Sequence, residues 1–479
     1  MVEFEWLFLV LQWMAIAFSV VVGGMVFLIL VLFLYDLSQT KHSLRRNYPL
    51  IGRFRYVFEK LGEFFRQYMF AMEREELPFN RAQRSWAYRA AKNIDTTLAF
   101  GSTKPANFSN SVTFLNAPFP RLDSENKKNA EIVFGPDTSY PYQPNSFFNI
   151  SGMSYGSISK PAIRALSYGA QKAGCWLNTG EGGLSSYHLE SGCDIVFQIG
   201  TAKYGVRDAQ GNLSEQQLSV LASHPQIKMF EIKLSQGAKP GKGGILPGKK
   251  VTPEVSLIRG IPVGQDSISP NRHLDVESAQ DLLNLIARVR LITGRPVGIK
   301  FVLGVNWLED FFQTVHTNGI ESAPDFITLD GAEGGTGAAP MSLMDDMGLF
   351  LYESLPVLIQ ALHKYDLRDR IRIIVSGKMI TPERVAWALA AGADVIQSAR
   401  GFMFALGCIQ SLQCNKDTCP TGITTHNLRL QRGLVVSEKS LRVMHYHNNM
   451  VKEVMTIAHA CGVTSPHELN TVHFKMVNI

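Results

Sequence analysis

Ile371-Arg-Ile-Ile-Val-Ser-Gly-Lys-Met-Ile-Thr-Pro-Glu-Arg384, followed by Asp394-Val-Ile-Gln-Ser-Ala-Arg-Gly401, is the stretch that decides the fold. Twice, a short apolar run of β type stops at a serine and gives way at once to a small residue and a cation. The same pattern recurs upstream. Runs at 147–150, 175–178, 195–199, 229–234, 297–303, 326–329, 371–375 and 394–397 make eight, separated by helical or loop stretches. Continuous apolar strands alternating with helices predict a parallel sheet buried on both faces, and eight such units fit an α/β chain closed into a (β/α)8, or TIM, barrel. An open doubly wound sheet is the competing reading. The polar chemistry favours the barrel. Ser151-Gly-Met-Ser-Tyr-Gly, Thr179-Gly-Glu-Gly-Gly, Gly200-Thr-Ala-Lys, Ser235-Gln-Gly-Ala-Lys and Asp330-Gly-Ala-Glu-Gly-Gly-Thr-Gly all follow strand ends. A barrel gathers those ends at one mouth, whereas an open sheet would unite only a few. The long connection 236–296 is expected to cross that mouth before a helix over 278–292.

Loops after the seventh and eighth strands of such barrels commonly cradle phosphate, because glycine admits backbone N–H groups and helix N-termini favour anions. Gly377, Lys378, Ala399 and Arg400 are therefore candidate phosphate ligands, with Thr381 as N-cap and Pro382 as first residue of the next helix. A phosphate there, with the other loops free to hold a planar ring, points to flavin mononucleotide (FMN). Lys300 interrupts the apolar fifth strand. A buried lysine needs a partner, and one beside the N1/O2 edge of a flavin would stabilise the reduced ring's negative charge.

The N-terminus has a different composition. Residues 6–35 form an uncharged stretch of 30, and about 20 apolar residues suffice to cross a bilayer. Its acidic start and length argue against a cleaved signal peptide. Residues 1–40 are thus expected to be a single-pass transmembrane anchor in the inner or cytoplasmic membrane. Lys41, Arg45, Arg46, Arg53, Arg55 and Lys60 follow it, which predicts that the catalytic domain lies in the cytoplasm. Residues 41–92 form a basic juxtamembrane connector that mixes aromatic and cationic residues. Two readings stay open there: an amphipathic segment on anionic lipid, or a connector packing its aromatics on the domain 93–479.

Net charge follows the same division. The chain carries +6 overall; residues 1–35 contribute −2, residues 36–92 contribute +6 from 12 basic and 6 acidic side chains, and 93–479 only +2. A nucleic-acid partner is not expected for a domain so nearly neutral. Hydrophobic residues at 46% against 18% charged exclude a disordered chain.

Three of the six cysteines, Cys408, Cys414 and Cys419, form Cys-x5-Cys-x4-Cys and end in Cys-Pro. Clustered thiols in a cytoplasmic protein point to a metal or cluster. Zinc would need a fourth ligand, for which His426 is available; three thiolates match a cluster with three ligated irons. Cys175, Cys193 and Cys461 are scattered and read as core residues.

From about Phe100 onward the chain resembles the FMN-binding synthase domain of the glutamate synthase family. The resemblance rests on Ser151-Gly-Met-Ser-Tyr-Gly-Ser-Ile-Ser, Asn178-Thr-Gly-Glu-Gly-Gly, Glu231-Ile-Lys-Leu-Ser-Gln-Gly-Ala-Lys-Pro-Gly-Lys-Gly-Gly, Gly334-Gly-Thr-Gly-Ala and Cys414-Asn-Lys-Asp-Thr-Cys-Pro-Thr-Gly. It implies FMN at the mouth, a 3Fe-4S cluster on Cys408, Cys414 and Cys419, and amination of 2-oxoglutarate. It further implies Met153, Ser154, Asn178, Gln198, Lys300 and Gly335 as cofactor contacts. Lys233, Gln236 and Lys239 are implied as ligands of the oxo-acid, with Ser269, His273 and Asp275 on the substrate loop. Glu181 is implied beside the flavin, and Glu181, Lys233 and Lys300 as the catalytic set. Two departures stand out: the chain begins Met1-Val-Glu-Phe where the family's large enzymes begin with a glutaminase domain, and Glu333 stands where an aspartate or a small polar residue is expected.

The activity expected on this resemblance is reduction of an imine of 2-oxoglutarate with ammonia or an amine, with electrons from a donor protein such as ferredoxin. One alternative keeps flavin and cluster but exchanges electrons with a membrane carrier and acts on another small substrate. Another is a non-catalytic electron-transfer partner of a membrane complex, for which a dicarboxylate site would have no use.

Overall fold

The computed structural model describes residues 2–104, 111–125, 131–305 and 307–477, in two compact units, Met1–Ala82 and Gln83–Ile479.

In the first unit the helix Val2–Ser38 contains a stretch, Glu5–Ser38, long and apolar enough to cross a membrane. Its last turn carries Asp36, fully buried and held by Arg53 Nε and Nη2, each at 2.7 Å, and by the Leu50 N–H at 3.1 Å. A buried carboxylate is tolerable when paired in this bidentate way. The short helix Ser43–Asn47 and the helix Ile51–Phe65 follow.

The second unit is the closed barrel. Its strands are β1 (Phe148–Ile150), β2 (Leu177–Asn178), β3 (Ile195–Ile199), β4 (Ile227–Lys233), β5 (Val297–Phe301), β6 (Phe326–Asp330), β7 (Arg372–Ser376) and β8 (Val395–Ser398). All neighbours pair in parallel in chain order, and β8 returns to β1 through Ile396↔Phe148, so the open-sheet alternative falls. All eight expected runs are barrel strands. The second is shorter than expected because Cys175 and Trp176 lead into β2 rather than belong to it; the Trp176 N–H donates to Asn149 Oδ1 instead. At the N-terminal end of the strands, Ile132, Phe134, Tyr142 and Trp176 pack on Val196, Met229, Phe326, Ile374 and Val395, which closes the barrel floor with apolar surface.

Helix signals in the sequence hold with one change. Ser278 caps Ala279–Thr293 through a capping box with Asp281. Pro382 opens Pro382–Ala390 as expected, but the Thr381 hydroxyl donates to Glu383 Oε1 at 2.6 Å and makes no cap bond. The C-terminal helix Val436–Ala460 packs against Lys160–Ala173 so closely that a Cβ on Gly169 would lie 2.3 Å from Val443. The connection 236–296 crosses the mouth as expected. The Thr201 hydroxyl donates to Pro270 O at 2.7 Å, and Arg259 Nη2 to Tyr155 O at 3.2 Å, so this segment ties the β1 and β3 loops together.

Candidate active site

The β4 strand explains much of the mouth. Alternation along it sends Glu231 and Lys233 inward, and β5 does the same with Lys300, which is in register with Lys233. Glu231, 1% exposed, is a hub: Asn178 Nδ2 donates to its Oε1 at 2.9 Å, Gln198 Nε2 at 2.6 Å, and the Thr328 hydroxyl to Oε2 at 2.6 Å. Asn178 Oδ1 in turn accepts the Gly180 N–H at 2.9 Å, which places Glu181 at the start of its loop. The buried hub thus sets two expected flavin contacts and the expected catalytic Glu181 at once.

Lys233 Nζ meets Glu181 Oε1 at 2.8 Å and donates also to Gln236 Oε1. Burial raises the Glu181 pKa, but Lys233, Lys239 and Arg259 outweigh it and hold the carboxyl below its ordinary value. Lys239, 3% exposed, donates to Ala338 O at 3.3 Å; burial lowers its pKa to about 8, with Glu181 opposing and Lys233 adding to the fall. Lys300 sits 3.6 Å from Asp330 Oδ2. Its burial favours the neutral amine, yet Asp330 and Glu231 raise the pKa above the ordinary lysine value and keep it a cation. The expected catalytic and oxo-acid residues therefore converge on one patch at the ends of β2, β4 and β5.

His273 and Asp275 lie behind that patch. His273 Nε2 bonds Lys233 O at 3.0 Å, and burial lowers its pKa to about 4, so it is neutral near pH 7. Asp275 pairs with the buried Lys203 at 2.7 Å. Gly244 packs so that a Cβ would come within 2.7 Å of Glu181 Oε1, and Ser269 Oγ is its neighbour.

At the β7 and β8 ends, Gly377 has φ 126° and a Cβ there would lie 3.0 Å from the Gly331 N–H nitrogen. Lys378 follows at φ 48°. Its pKa falls to about 8 through burial and the positive charge of Arg400, whose own value burial lowers to about 10. Two cations held side by side in a glycine cradle fit a phosphate, with Ala399 as the residue before the helix Arg400–Leu406. Arg400 Nη2 donates to Glu333 O at 2.6 Å, and a Cβ on Gly335 would lie 2.7 Å from Arg400 Nε, so that glycine admits the guanidinium. Glu333 has a role that its type suits: its carboxylate pairs with Arg384 at 3.0 Å and accepts the Leu351 N–H at 3.2 Å, at the head of the helix Leu351–Lys364. Met153 and Ser154 are buried in the β1 loop, where Ser154 Oγ donates to Ser157 Oγ at 2.8 Å.

Among the described residues, no group of three or more His, Cys, Asp or Glu stands close enough to hold a metal ion. His426, the fourth ligand that zinc would need, bonds Gly156 O through Nε2 at 2.9 Å. Cys408, Cys414 and Cys419 lie on one loop after the helix Arg400–Leu406. Hydrogen-bond donors surround them: the Gln410 N–H at 3.5 Å from Cys408 Sγ and the Thr421 hydroxyl at 3.3 Å from Cys419 Sγ. Burial raises the Cys408 pKa to about 12, whereas donors from Thr421 and Thr424 outweigh burial at Cys419 and lower its pKa. Lys250, 2% exposed, donates to Ser157 O at 2.6 Å and Cys414 O at 3.3 Å, bridging the β1 loop to the cysteine loop. Thr421 and Thr424 thus favour the thiolate at Cys419, whereas burial favours the thiol at Cys408.

Sequence reasoning missed Glu231 as the hub, Asp330 as partner of Lys300, and the buried Lys203, Arg259 and Lys250. A charged residue within an otherwise apolar strand is the signal that marks Glu231 as it marks Lys300.

Comparisons with known proteins identify the family of the chain. Residues 104–464 match the model for the conserved region in glutamate synthase. The glutamate synthase large subunit-like protein YerD of Bacillus subtilis is 37% identical, over 94% of this chain and 91% of its own length. The archaeal-type glutamate synthase [NADPH] of Dehalococcoides mccartyi is 32% identical over 69% of this chain; the match spans 63% of that protein's length. Among solved structures, an oxidised active mutant of (S)-mandelate dehydrogenase matches with a TM-score of 0.49 and 13% identity, over 76% of this chain and 88% of that one. A family match over three quarters of the chain, together with a relative 37% identical over 94% of it, means that this chain belongs to the glutamate synthase family.

Proposed function

We propose that this protein reduces the imine of 2-oxoglutarate, or a closely similar oxo-acid, with ammonia or an amine, yielding glutamate or an N-substituted glutamate. As a member of the family it is an oxidoreductase of the glutamate-synthase type acting on CH–NH2 donors. The observation that carries the finer reading is the patch of Lys233, Gln236 and Lys239 around Glu181, beside Lys300. A dicarboxylate needs cations and a polar clamp, and buried lysines bind it more strongly than exposed ones.

FMN would be held by the Gly377–Lys378 and Ala399–Arg400 cradle, with Met153, Ser154, Asn178, Gln198 and Lys300 around its ring, and a 3Fe-4S cluster by Cys408, Cys414 and Cys419. Bound there, the flavin would supply a hydride to the imine carbon, and the cluster would pass electrons one at a time. The protein's own part is positioning. Lys239 and Lys233 neutralise the carboxylates and fix the imine carbon, Gln236 orients Lys233, and Glu181 pairs with that lysine and exchanges the proton that the new amine requires. Lys300, kept cationic by Asp330, offsets negative charge at the ring edge. The segment 236–296 limits water over the mouth.

The apolar helix would anchor the enzyme in the cytoplasmic membrane, with the barrel on the cytoplasmic side, next to an electron-donor protein such as ferredoxin. The same anchor supports a second reading in which a membrane carrier exchanges electrons and another small substrate is used. The test is purification in detergent without oxygen, measurement of bound FMN and iron, and incubation of the reduced protein with 2-oxoglutarate and isotope-labelled ammonium. Labelled glutamate is the expected product. Flavin with no labelled glutamate would move the weight to the second reading, and absence of flavin would refute both.

A further inference from the structure

We infer that the helix Ile51–Phe65 is a second membrane element, lying along the surface of an anionic bilayer with one face in the acyl boundary. The inference rests on reading Glu5–Ser38 as a membrane span. Ile51, Phe54, Val57, Phe58, Leu61 and Phe64 are exposed by 72, 59, 49, 64, 41 and 56%. At 3.6 residues per turn these positions occupy a single arc of roughly 140°. Arg53 and Lys60 border one edge of that arc, and Arg55 and Arg66 the other. Glu59 and Glu63 fall in the middle of the opposite side. A water-facing helix would have no reason to expose so large an apolar face, and a core helix would not line both of its edges with cations. Insertion to the level of the headgroups satisfies both features: the apolar arc enters the acyl boundary while Lys60, Arg55 and Arg66 at its rims meet lipid phosphates, Arg53 stays paired with Asp36, and the glutamates stay in water.

The attachment to the span has the rigidity this placement requires. Asp36, in the last turn of the apolar helix, is fully buried and grips Arg53 at two points, 2.7 Å each, as well as the Leu50 N–H. Gly52 lies so close to the preceding short helix that a Cβ would come within 2.7 Å of Leu44 O. The elbow therefore joins the surface helix to the point where the span leaves the hydrocarbon. The local charge agrees: the whole +6 excess of the chain lies in residues 36–92.

The test uses the full-length protein reconstituted in vesicles of phosphatidylglycerol and phosphatidylcholine with brominated acyl chains, which quench tryptophan by contact. Phe58→Trp and Glu63→Trp variants are compared with the parent chain. The fluorescence added at position 58 should be quenched several-fold more than that added at 63. Equal quenching at the two positions, or none at either, while Trp6 and Trp13 of the span are quenched, would overturn the inference and leave the apolar face to the barrel surface or a second copy of the chain. If the span's own tryptophans escape quenching, the anchor fails and the inference falls with it.

Discussion

Glu181 and Lys233 come from different strand ends and meet at 2.8 Å under the segment that crosses the barrel mouth. Lys233 is the main electrostatic partner of Glu181, in a buried place where an unpaired charge would be costly. The pair therefore does two things: it holds Lys233 ready for an anionic substrate, and it makes the fold sensitive to loss of either group.

Removing the cation should show first in substrate binding. Lys233→Met is expected to raise the KM for 2-oxoglutarate roughly ten- to a hundred-fold, the equivalent of a charged hydrogen bond of about 1.5–3 kcal/mol. Steady-state kinetics check this, with FMN content unchanged as the control.

The same pair fixes a pH dependence of stability. The Glu181 pKa is depressed in the folded protein, so its contribution is present above the unfolded value, about 4.3, and is lost as pH falls through the folded value. Melting temperatures of the parent chain should therefore fall more steeply below that pH than those of Glu181→Gln.

Lys239 shifts the other way. Its pKa of about 8 means that it loses its charge as pH rises through that value. The KM for the oxo-acid should rise above about pH 8, by up to tenfold per pH unit, and Lys239→Arg should remove the rise because arginine stays charged. For stability the sign is opposite: between about 8 and the ordinary lysine value the unfolded chain binds more protons, so this group favours the folded state increasingly with pH.

Glu231→Gln should be costly although it conserves shape. The three donors on Glu231, from Asn178, Gln198 and Thr328, would face an amide that has one acceptor oxygen and one donor nitrogen. Loss of about 1–3 kcal/mol in denaturant unfolding is expected, with weakened retention of FMN because Asn178 and Gln198 lose their anchor.

Gly377→Ala tests the phosphate cradle. The position has φ 126° and a backbone nitrogen 3.0 Å from where the Cβ would sit, so the loop must move. FMN should bind at least about tenfold more weakly, seen by flavin fluorescence on dilution, while Cys414→Ala should leave FMN bound and remove the iron.

The barrel was legible in the sequence because its strands are short, apolar and each followed by glycine chemistry, so the period and the punctuation agreed. Loop residues with unusual chemistry, such as Lys239 and Arg400, were legible for the same reason. What stayed hidden was pairing. Glu231 looks like an isolated charge within β4 until three strands bring Asn178, Gln198 and Thr328 to it, and Lys250 reads as a loop cation until it spans the β1 and cysteine loops. Glu333, expected to be a smaller residue, needs its length to reach both Arg384 and the Leu351 N–H.

Reoxidation of the protein's reduced flavin, followed by absorbance without oxygen, tests the proposed reaction most directly. Addition of 2-oxoglutarate and ammonium together should restore the oxidised spectrum, much faster than either alone, and Lys233→Met should slow it at low oxo-acid concentration. A flavin that stays reduced with both present, at saturating concentrations and a pH below 8, would contradict the assignment of this barrel mouth to 2-oxo-acid amination.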